Sequence, residues 1–556
     1  MFIRLAFVFI CLVSSRLSFA LAPNEMKFPD EKTRVAIFDK FVSEIERIDG
    51  EGLPARKNRL ESWKVTTAKL REQARSATTP VEFGQVFRKL DMSYPNLHAQ
   101  VSLDEAYDIA PGRIRPKISV RFGPKIVAKN MRHTTYQISA IDSGMVNYLK
   151  ESLRPAIGDE VIEINDRSIR DWSNENFTFC KFPLREQCEA NFFDSFRKAF
   201  LSWNWTQPLK YRLRRNGREW IVDIPFEPAT QSASTALSTE SSVSECPSKP
   251  DGYRGFKVAY VGTNICAFEP IDSSSAIVLR IASFAYRETP KESKILGITD
   301  EVDRFYEKYW KEKQSRSKKL IIDVSENGGG DTPVDWYMIF FSKSFQEEFV
   351  QFKKLPEIDD PAIRRDLFYD DAGKEIWFSD LVKSGLYKRL KYGDFLPPVP
   401  QFCVTQKESC SKGLFPARGE GLKGDIAIIV NEWCISSCTG FVWKMKDYFG
   451  RRLKVVGIPD SGDSAYARLF LDVFLDASKP NGFRTEVSSR VGRTRQKLPV
   501  GAIIREQVTA TRSTDANGKI LSATPTAVDV WVPYQFPDFG ESWEARALEA
   551  ALKATR

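Results

Sequence analysis

Two well-separated segments constrain this fold more than any other feature: Lys319–Asp331, reading KLIIDVSENGGGD, and Asp425–Gly457, reading DIAIIVNEWCISSCTGFVWKMKDYFGRRLKVVG. Each opens with an apolar, β-branched run of strand length and stops at a turn of small or polar residues. That pattern reads as a buried strand delivering backbone amides and a side chain to its rim. Ile277–Phe284 and Leu453–Val456 read as further strands, Ile298–Lys313 as a helix and Trp543–Lys553 as a closing helix. Strands alternating with helices argue for an α/β domain, placed at 252–556. Residues 357–422 are polar, proline-containing and irregular, and are expected to form an insertion over its face.

The 556 residues exceed what one core takes up, so further domains are expected. Residues 27–112 read as an N-terminal helical domain, with Val35, Ile37, Phe38, Phe41, Ile45 and Ile48 recurring at helical spacing. From 113 to 228 the pattern changes to short strand-like runs: Ile118–Phe122, Tyr136–Ile141, Glu160–Ile164, Leu209–Leu213 and Trp220–Ile224. An aromatic-rich insertion at 172–207 interrupts them, and a Ser/Thr-rich, apolar-poor linker follows at 229–251.

Residues 1–20 read as a signal peptide: basic Arg4, an apolar stretch Leu5–Val13, and small Ser18 and Ala20 placed for cleavage after Ala20. The stretch is shorter than the roughly 20 residues that span a bilayer, so stable membrane insertion is not expected, despite the unusual Arg16 near the cut. The chain is expected to be exported, to the periplasm or the medium. Of nine cysteines, all but Cys11 follow the leader: Cys180, Cys188, Cys246, Cys266, Cys403, Cys410, Cys434 and Cys438. An even number in an exported chain favours disulfides, and sequence neighbours would close local loops, a connectivity that sequence does not prove. Only His98 and His133 are histidines, and no cysteine pair has histidines at zinc spacing, so no metal is expected. The formal charge of +9 is scattered, as at Arg451-Arg452 and Lys318-Lys319, which argues against nucleic-acid binding.

Within 113–228, Arg154–Ile169, RPAIGDEVIEINDRSI, has a Gly-Asp turn into an alternating strand and a second turn at Asn165-Asp166. This resembles the corresponding stretch of a PDZ domain, although the carboxylate-binding loop would fall loosely at Val120–Gly123. The resemblance implies either peptide binding by strand addition or a structural or regulatory lid.

The order of segments carries a wider resemblance: a helical segment, the PDZ-like segment, IVLRIASF, LIIDVSENGGG, IIVNEWCISSC and VVGIPDSGD. The chain resembles the tail-specific, or C-terminal-processing, serine peptidases, which implies a crotonase-like ββα catalytic domain with an N-terminal helical segment and an inserted PDZ-like β-rich domain. In that family the nucleophile stands five residues after the asparagine ending the strand, so Asn431 points to Ser436. A serine at a helix start has an exposed hydroxyl and neighbouring free amides. The structural alternative is that Ser436 or Ser437 caps the following helix. By resemblance, the Gly329 amide joins that of Ser437 in the oxyanion hole. An ordinary glycine turn is the alternative there, and a phosphate loop is disfavoured because no Gly-Lys-Ser/Thr follows.

The base departs from the bacterial Ser–Lys pattern. Asp463, in Gly457-Ile458-Pro459-Asp460-Ser461-Gly462-Asp463, stands where that lysine would be, and Lys444, Lys446 and Lys454 fall in the wrong elements. Leu90–Leu103, LDMSYPNLHAQVSL, is instead similar to the Asp-Gly-His-Thr motif of the tricorn-like branch, with Asn96-Leu97-His98-Ala99 as its core. The resemblance therefore implies His98 as base, since an imidazole in solution, with a pKa near 6.5, can take a seryl proton at neutral pH. His133 reads as a surface residue. Relatives in that branch place a glutamate where this chain has Ser522, so Asp463 is the candidate to orient His98, or else a turn residue bonding its own backbone. Cys434 and Cys438 straddle Ser436 and would share a helix face as a brace or a redox gate; a cysteine nucleophile is the weaker reading. The expected function is peptide-bond hydrolysis of a protein or peptide substrate without metal or organic cofactor. Two readings remain beside it, an inactive peptide-binding scaffold of the same fold and a carrier of apolar small molecules.

Overall fold

The computed structural model describes residues 28–50, 53, 57–108, 114–116, 120–125, 134–141, 149–192, 209–224, 226–228, 253–272, 276–284, 298–313, 318–330, 333–346, 348–368, 378–400, 414–418, 420–462, 468–476, 478, 481–489, 498–515, 517–535 and 541–555. The helical period at the N-terminus resolves into α1 (Glu31–Ile48), α2 (Lys57–Ser76) and α3 (Pro80–Ser93). Their starts follow from local chemistry. Asp30 caps α1 by accepting from Thr33 N–H, and Thr79 caps α3 ahead of Pro80, whose missing N–H costs nothing at that position.

These helices do not close a core alone. Phe38, Phe41, Phe83 and Phe87 share one apolar cluster with Leu471, Ile503 and Val508 of a distant sheet and with Phe352, Phe368, Phe378 and Tyr387. The last four fall in or beside the stretch expected to be irregular. It instead forms short helices, Pro361–Phe368, Phe378–Lys383 and Leu386–Arg389, whose apolar residues are too far apart in sequence to show a period. The distant sheet is antiparallel, ordered Val101–Leu103, Ala502–Thr509, Arg468–Asp476, Gly482–Ser488. It thus ties the segment after α3 to the C-terminal part of the chain.

Residues 120–224 form an antiparallel sheet, Val120–Lys125, Thr135–Ile141, Glu160–Ile164, Leu209–Arg215 and Arg218–Ile224, close to the expected strands. The described part of its insertion holds α4 (Ile169–Thr178) and α5 (Arg185–Ala190), linked by a Cys180–Cys188 disulfide.

The central sheet has seven strands in chain order: β1 (Phe256–Val261), β2 (Ile265–Pro270), β3 (Ala276–Ile281), β4 (Lys319–Asp323), β5 (Asp425–Val430), β6 (Leu453–Gly457) and β7 (Val530–Trp531). From β3 onward all neighbours are parallel. β3, β4 and β5 carry the continuous apolar runs AIVL, LII and IAIIV because both faces are covered. One face packs on α6 (Ser437–Phe449), through Phe441, Val442 and Met445, and on an aromatic layer of Phe305, Trp310, Trp336 and Phe340. The other is covered by α7 (Glu541–Ala554), through Trp543, Ala547 and Ala551. No helix among the described residues is long and apolar enough to cross a membrane.

Candidate active site

Two loops leave the carboxyl ends of the adjacent parallel strands β4 and β5, the rim where open α/β sheets receive ligands. After β4, Asp323 Oδ1 turns the chain by accepting from Ser325 N–H at 2.9 Å and Ser325 Oγ at 2.6 Å. Asn327 is wholly buried, donating from Nδ2 to Ile281 O at 3.0 Å and accepting at Oδ1 from Gly329 N–H at 2.9 Å. The two loops are cross-tied, Glu326 N–H to Asn431 Oδ1 at 2.9 Å and Ile435 N–H to Asn327 O at 3.1 Å.

Ser436 sits at the crest of the second loop with φ 59° and ψ −122°, a conformation that L-residues rarely adopt. A Cys434–Cys438 disulfide brackets it, and Gly440 N–H donates to its carbonyl at 3.2 Å as α6 begins. Neither capping alternative holds. Ser436 makes no side-chain capping bond, and Ser437 Oγ donates to Gly330 O at 2.8 Å. Among the described residues the Ser436 hydroxyl has no hydrogen-bond partner, His98 included, and the Ser437 amide has none either.

Gly329 closes against this crest at φ +87°. A Cβ there would lie 2.6 Å from Ile435 O, 2.7 Å from Ser436 Cβ and 3.0 Å from Ser437 N, so only glycine lets the loops meet. The structure therefore brings Ser436, Ser437 and Gly329 together. The Gly329 amide donates to Asn327 Oδ1 within its own loop at 2.9 Å.

His98 lies in a turn held by Asn96, whose Oδ1 accepts from His98 N–H at 2.9 Å and Ala99 N–H at 3.2 Å. The turn is anchored by a bond from Asn96 Nδ2 to Thr509 Oγ1 and continues into the strand Val101–Leu103. Leu97 packs on the Cys180, Phe182 and Cys188 cluster, and the Phe182 ring meets Trp433 edge-on at 5.7 Å between centroids. The His98 turn and the Ser436 loop thus both pack on this small cluster.

Asp463 lies outside the described residues, as do His133, Cys246, Cys403 and Cys410. The acid visible in that loop is Asp460, fully buried, accepting at Oδ1 from Gly462 N–H at 3.0 Å and Thr526 N–H at 3.1 Å. Burial pushes its carboxyl up to about 6. Ser522, at the expected glutamate position, is consumed structurally by accepting from Ser513 N–H at 2.5 Å. Glu432, in the Ser436 loop, is also buried and accepts from Tyr534 Oη at 3.0 Å and Asn191 Nδ2 at 3.2 Å. Burial pushes it up to about 7.

Sequence reasoning missed a third ionisable group. Lys181 donates to Asp91 Oδ1 at 2.5 Å and to Ala99 O, next to His98, at 2.6 Å. Beside it Glu506 is buried, and that burial, reinforced by the Asp91 charge, drives its carboxyl well above the usual range against the pull of Lys181. The available signal was a pair of charges, Arg505-Glu506, inside the otherwise uncharged run AIIREQVT. Among the described residues no three His, Cys, Asp or Glu side chains are grouped to hold a metal ion.

Residues 276–470, about a third of the chain, match Peptidase family S41, which supports a peptidase. No curated protein matches the sequence. Among solved structures, mature CPAF complexed with lactacystin superposes with a TM-score of 0.56 at 12% identity, over 94% of this chain and 98% of that one. Mature CPAF gives 0.54 at 12% identity, over 94% and 96%. Both show a shared fold along nearly the whole chain. The tricorn protease gives 0.33 at 12% identity, over 94% of this chain and 37% of that one, too little to bear on the choice of base.

Proposed function

We propose that the chain is an exported serine endopeptidase in which Ser436 is the nucleophile and His98 its base. The observation that carries this reading is the Ser436 crest: a non-glycine residue in a rare conformation, with its hydroxyl released from capping, opening a helix against a glycine loop. Ser436 Oγ attacks the scissile carbonyl carbon while His98 takes its proton. The Ser437 amide, with the Gly329 amide shared with Asn327 Oδ1, donates to the oxyanion. Collapse breaks the C–N bond, and His98 returns the proton to the leaving amine. Water then releases the acyl group by the same proton route. Asp463 orients the imidazole. The disulfides Cys180–Cys188 and Cys434–Cys438 support an oxidising, extracytoplasmic setting, and the antiparallel sheet at 120–224 supports a PDZ-like module inserted before a crotonase-like catalytic domain.

One observation favours a second reading, the inactive peptide-binding scaffold: the Ser436 hydroxyl is not hydrogen-bonded to His98. A fluorophosphonate probe decides between them. The wild-type protein is expected to be labelled and to cleave an unstructured protein such as casein, and Ser436→Ala to do neither while keeping its fold. An unlabelled wild type, or a Ser436→Ala variant that still cleaves casein, overturns the assignment.

A further inference from the structure

The insertion that interrupts the 120–224 sheet does more than lengthen a loop. At one end Lys181 donates to Ala99 O at 2.6 Å and Asp91 Oδ1 at 2.5 Å, gripping the turn that carries His98. Leu97 of that turn packs on the Cys180–Cys188 pair itself. At the other end Gln187 Nε2 donates to Pro459 O at 2.8 Å and Asp460 O at 2.7 Å. Those carbonyls belong to the loop whose Ser461 bonds Cys434 O, two residues before Ser436, at 3.1 Å from both its N–H and its hydroxyl. Asn191 reaches Glu432, and Phe182 lies edge-on to Trp433. Between Lys181 and Asn191 the chain therefore touches the His98 turn at two points, through Lys181 and through the packing on Leu97, and the surroundings of Ser436 at three. The disulfide holds the Lys181 end against α5, which carries Gln187.

We infer that this disulfide-closed segment is a clasp that sets the position of His98 relative to Ser436, with Lys181 as the positioning residue at the His98 turn. The inference rests on the Ser436–His98 reading above. His98 and Ser436 sit on different elements: the His98 turn leads into the four-stranded sheet, and Ser436 stands on the central sheet. A catalytic pair built across two elements needs something to hold them in register, because misplacement by about 1 Å costs on the order of 10²-fold in rate. Lys181 suits this role at the base end. Its ammonium binds a backbone carbonyl adjacent to His98 and is fixed from the other side by Asp91.

The test is a set of variants read by the rate and saturation constants of fluorophosphonate labelling, kinact and KI, across pH. Lys181→Met is expected to lower kinact about 10- to 10²-fold with KI within about twofold, and Lys181→Arg to restore most of it. Gln187→Ala and the double change Cys180→Ser/Cys188→Ser loosen the other end and the brace, and are expected to lower kinact in the same way. In a His98→Gln background, Lys181→Met is expected to add nothing, because a residue that acts only by placing the base has no effect once the base is gone. Equal losses from Lys181→Met in wild type and in His98→Gln overturn the clasp, as does a wild-type kinact in Lys181→Met, Gln187→Ala and the double cysteine variant. Should Lys181→Met not fold, Gln187→Ala in the two backgrounds decides by the same criterion. A His98→Gln protein with wild-type kinact refutes the Ser–His reading instead. A clasp failure with an impaired His98→Gln leaves that reading standing.

Discussion

Replacing Gly329 by alanine, with Gly328→Ala as its partner experiment, tests whether the meeting of the two loops builds the site. At Gly329 the backbone lies at φ +87°, where a Cβ costs roughly 1–2 kcal/mol. The added carbon would also stand 2.6 Å from Ile435 O and 2.7 Å from Ser436 Cβ. Ordinary carbon contacts are about 3.5–4.0 Å, so the crest must retreat by about 1 Å, an overpacking that costs about 1–3 kcal/mol. The sum is about 2–5 kcal/mol, which at about 2–4 °C per kcal/mol lowers the unfolding midpoint by roughly 4–20 °C. The same retreat moves Ser436 and is expected to slow fluorophosphonate labelling about 10²-fold. A Cβ on Gly328, one residue earlier, would meet nothing within 4 Å. Gly328→Ala is therefore expected to label at the wild-type rate and to gain up to about 1 kcal/mol from a less flexible unfolded chain. Thermal unfolding followed by tryptophan fluorescence and a labelling time course read both effects. If Gly329→Ala matches wild type in midpoint and rate, or if Gly328→Ala fails equally, the close approach of the loops is not what forms the site.

Glu432 makes stability depend on pH. Its carboxyl is raised from 4.5 to about 7 by burial, so between those values the folded chain holds a proton the unfolded chain has lost. Its contribution is therefore fully present below about 4.5 and lost as pH rises through about 7, a change of roughly 3 kcal/mol. Glu432→Gln is expected to gain stability over wild type as pH rises from 5 to 8, and a pH-independent difference in unfolding midpoint would contradict this. Arg505 and Asp472 form a buried bidentate pair, 2.7 Å from Nε to Oδ1 and 2.8 Å from Nη2 to Oδ2. Arg505→Met strands the carboxylate and is expected to cost about 3–5 kcal/mol, whereas changing Asp472→Leu as well should recover most of it. A single variant as stable as wild type by thermal unfolding would show the pair to be dispensable.

The local parts of this protein were readable from its residues. Apolar runs such as LII and IAIIV announce strands covered on both faces, since such strands dispense with polar alternation. The glycine run after β4 marks a backbone that a side chain would obstruct, and Gly329 bears that out. Helical spacing placed α1, because a period along one segment is a local property. What depends on which distant segments meet was not readable. Apolar residues from Ile358 to Tyr387 looked like an irregular insertion because their partners are helices hundreds of residues earlier. Buried Arg505 and Glu506 carry no mark of their partners Asp472 and Lys181. That the Gly329 amide donates to Asn327 Oδ1 follows from the fold of its own loop, which the residue types alone do not announce. The insertion around Cys180 and Cys188 read as an interruption of a sheet. Only the tertiary structure decided that it spans from the His98 turn to the Ser436 loop, because hydrogen bonds and packing between elements are set by where the whole chain places them, and side-chain type alone does not carry that information.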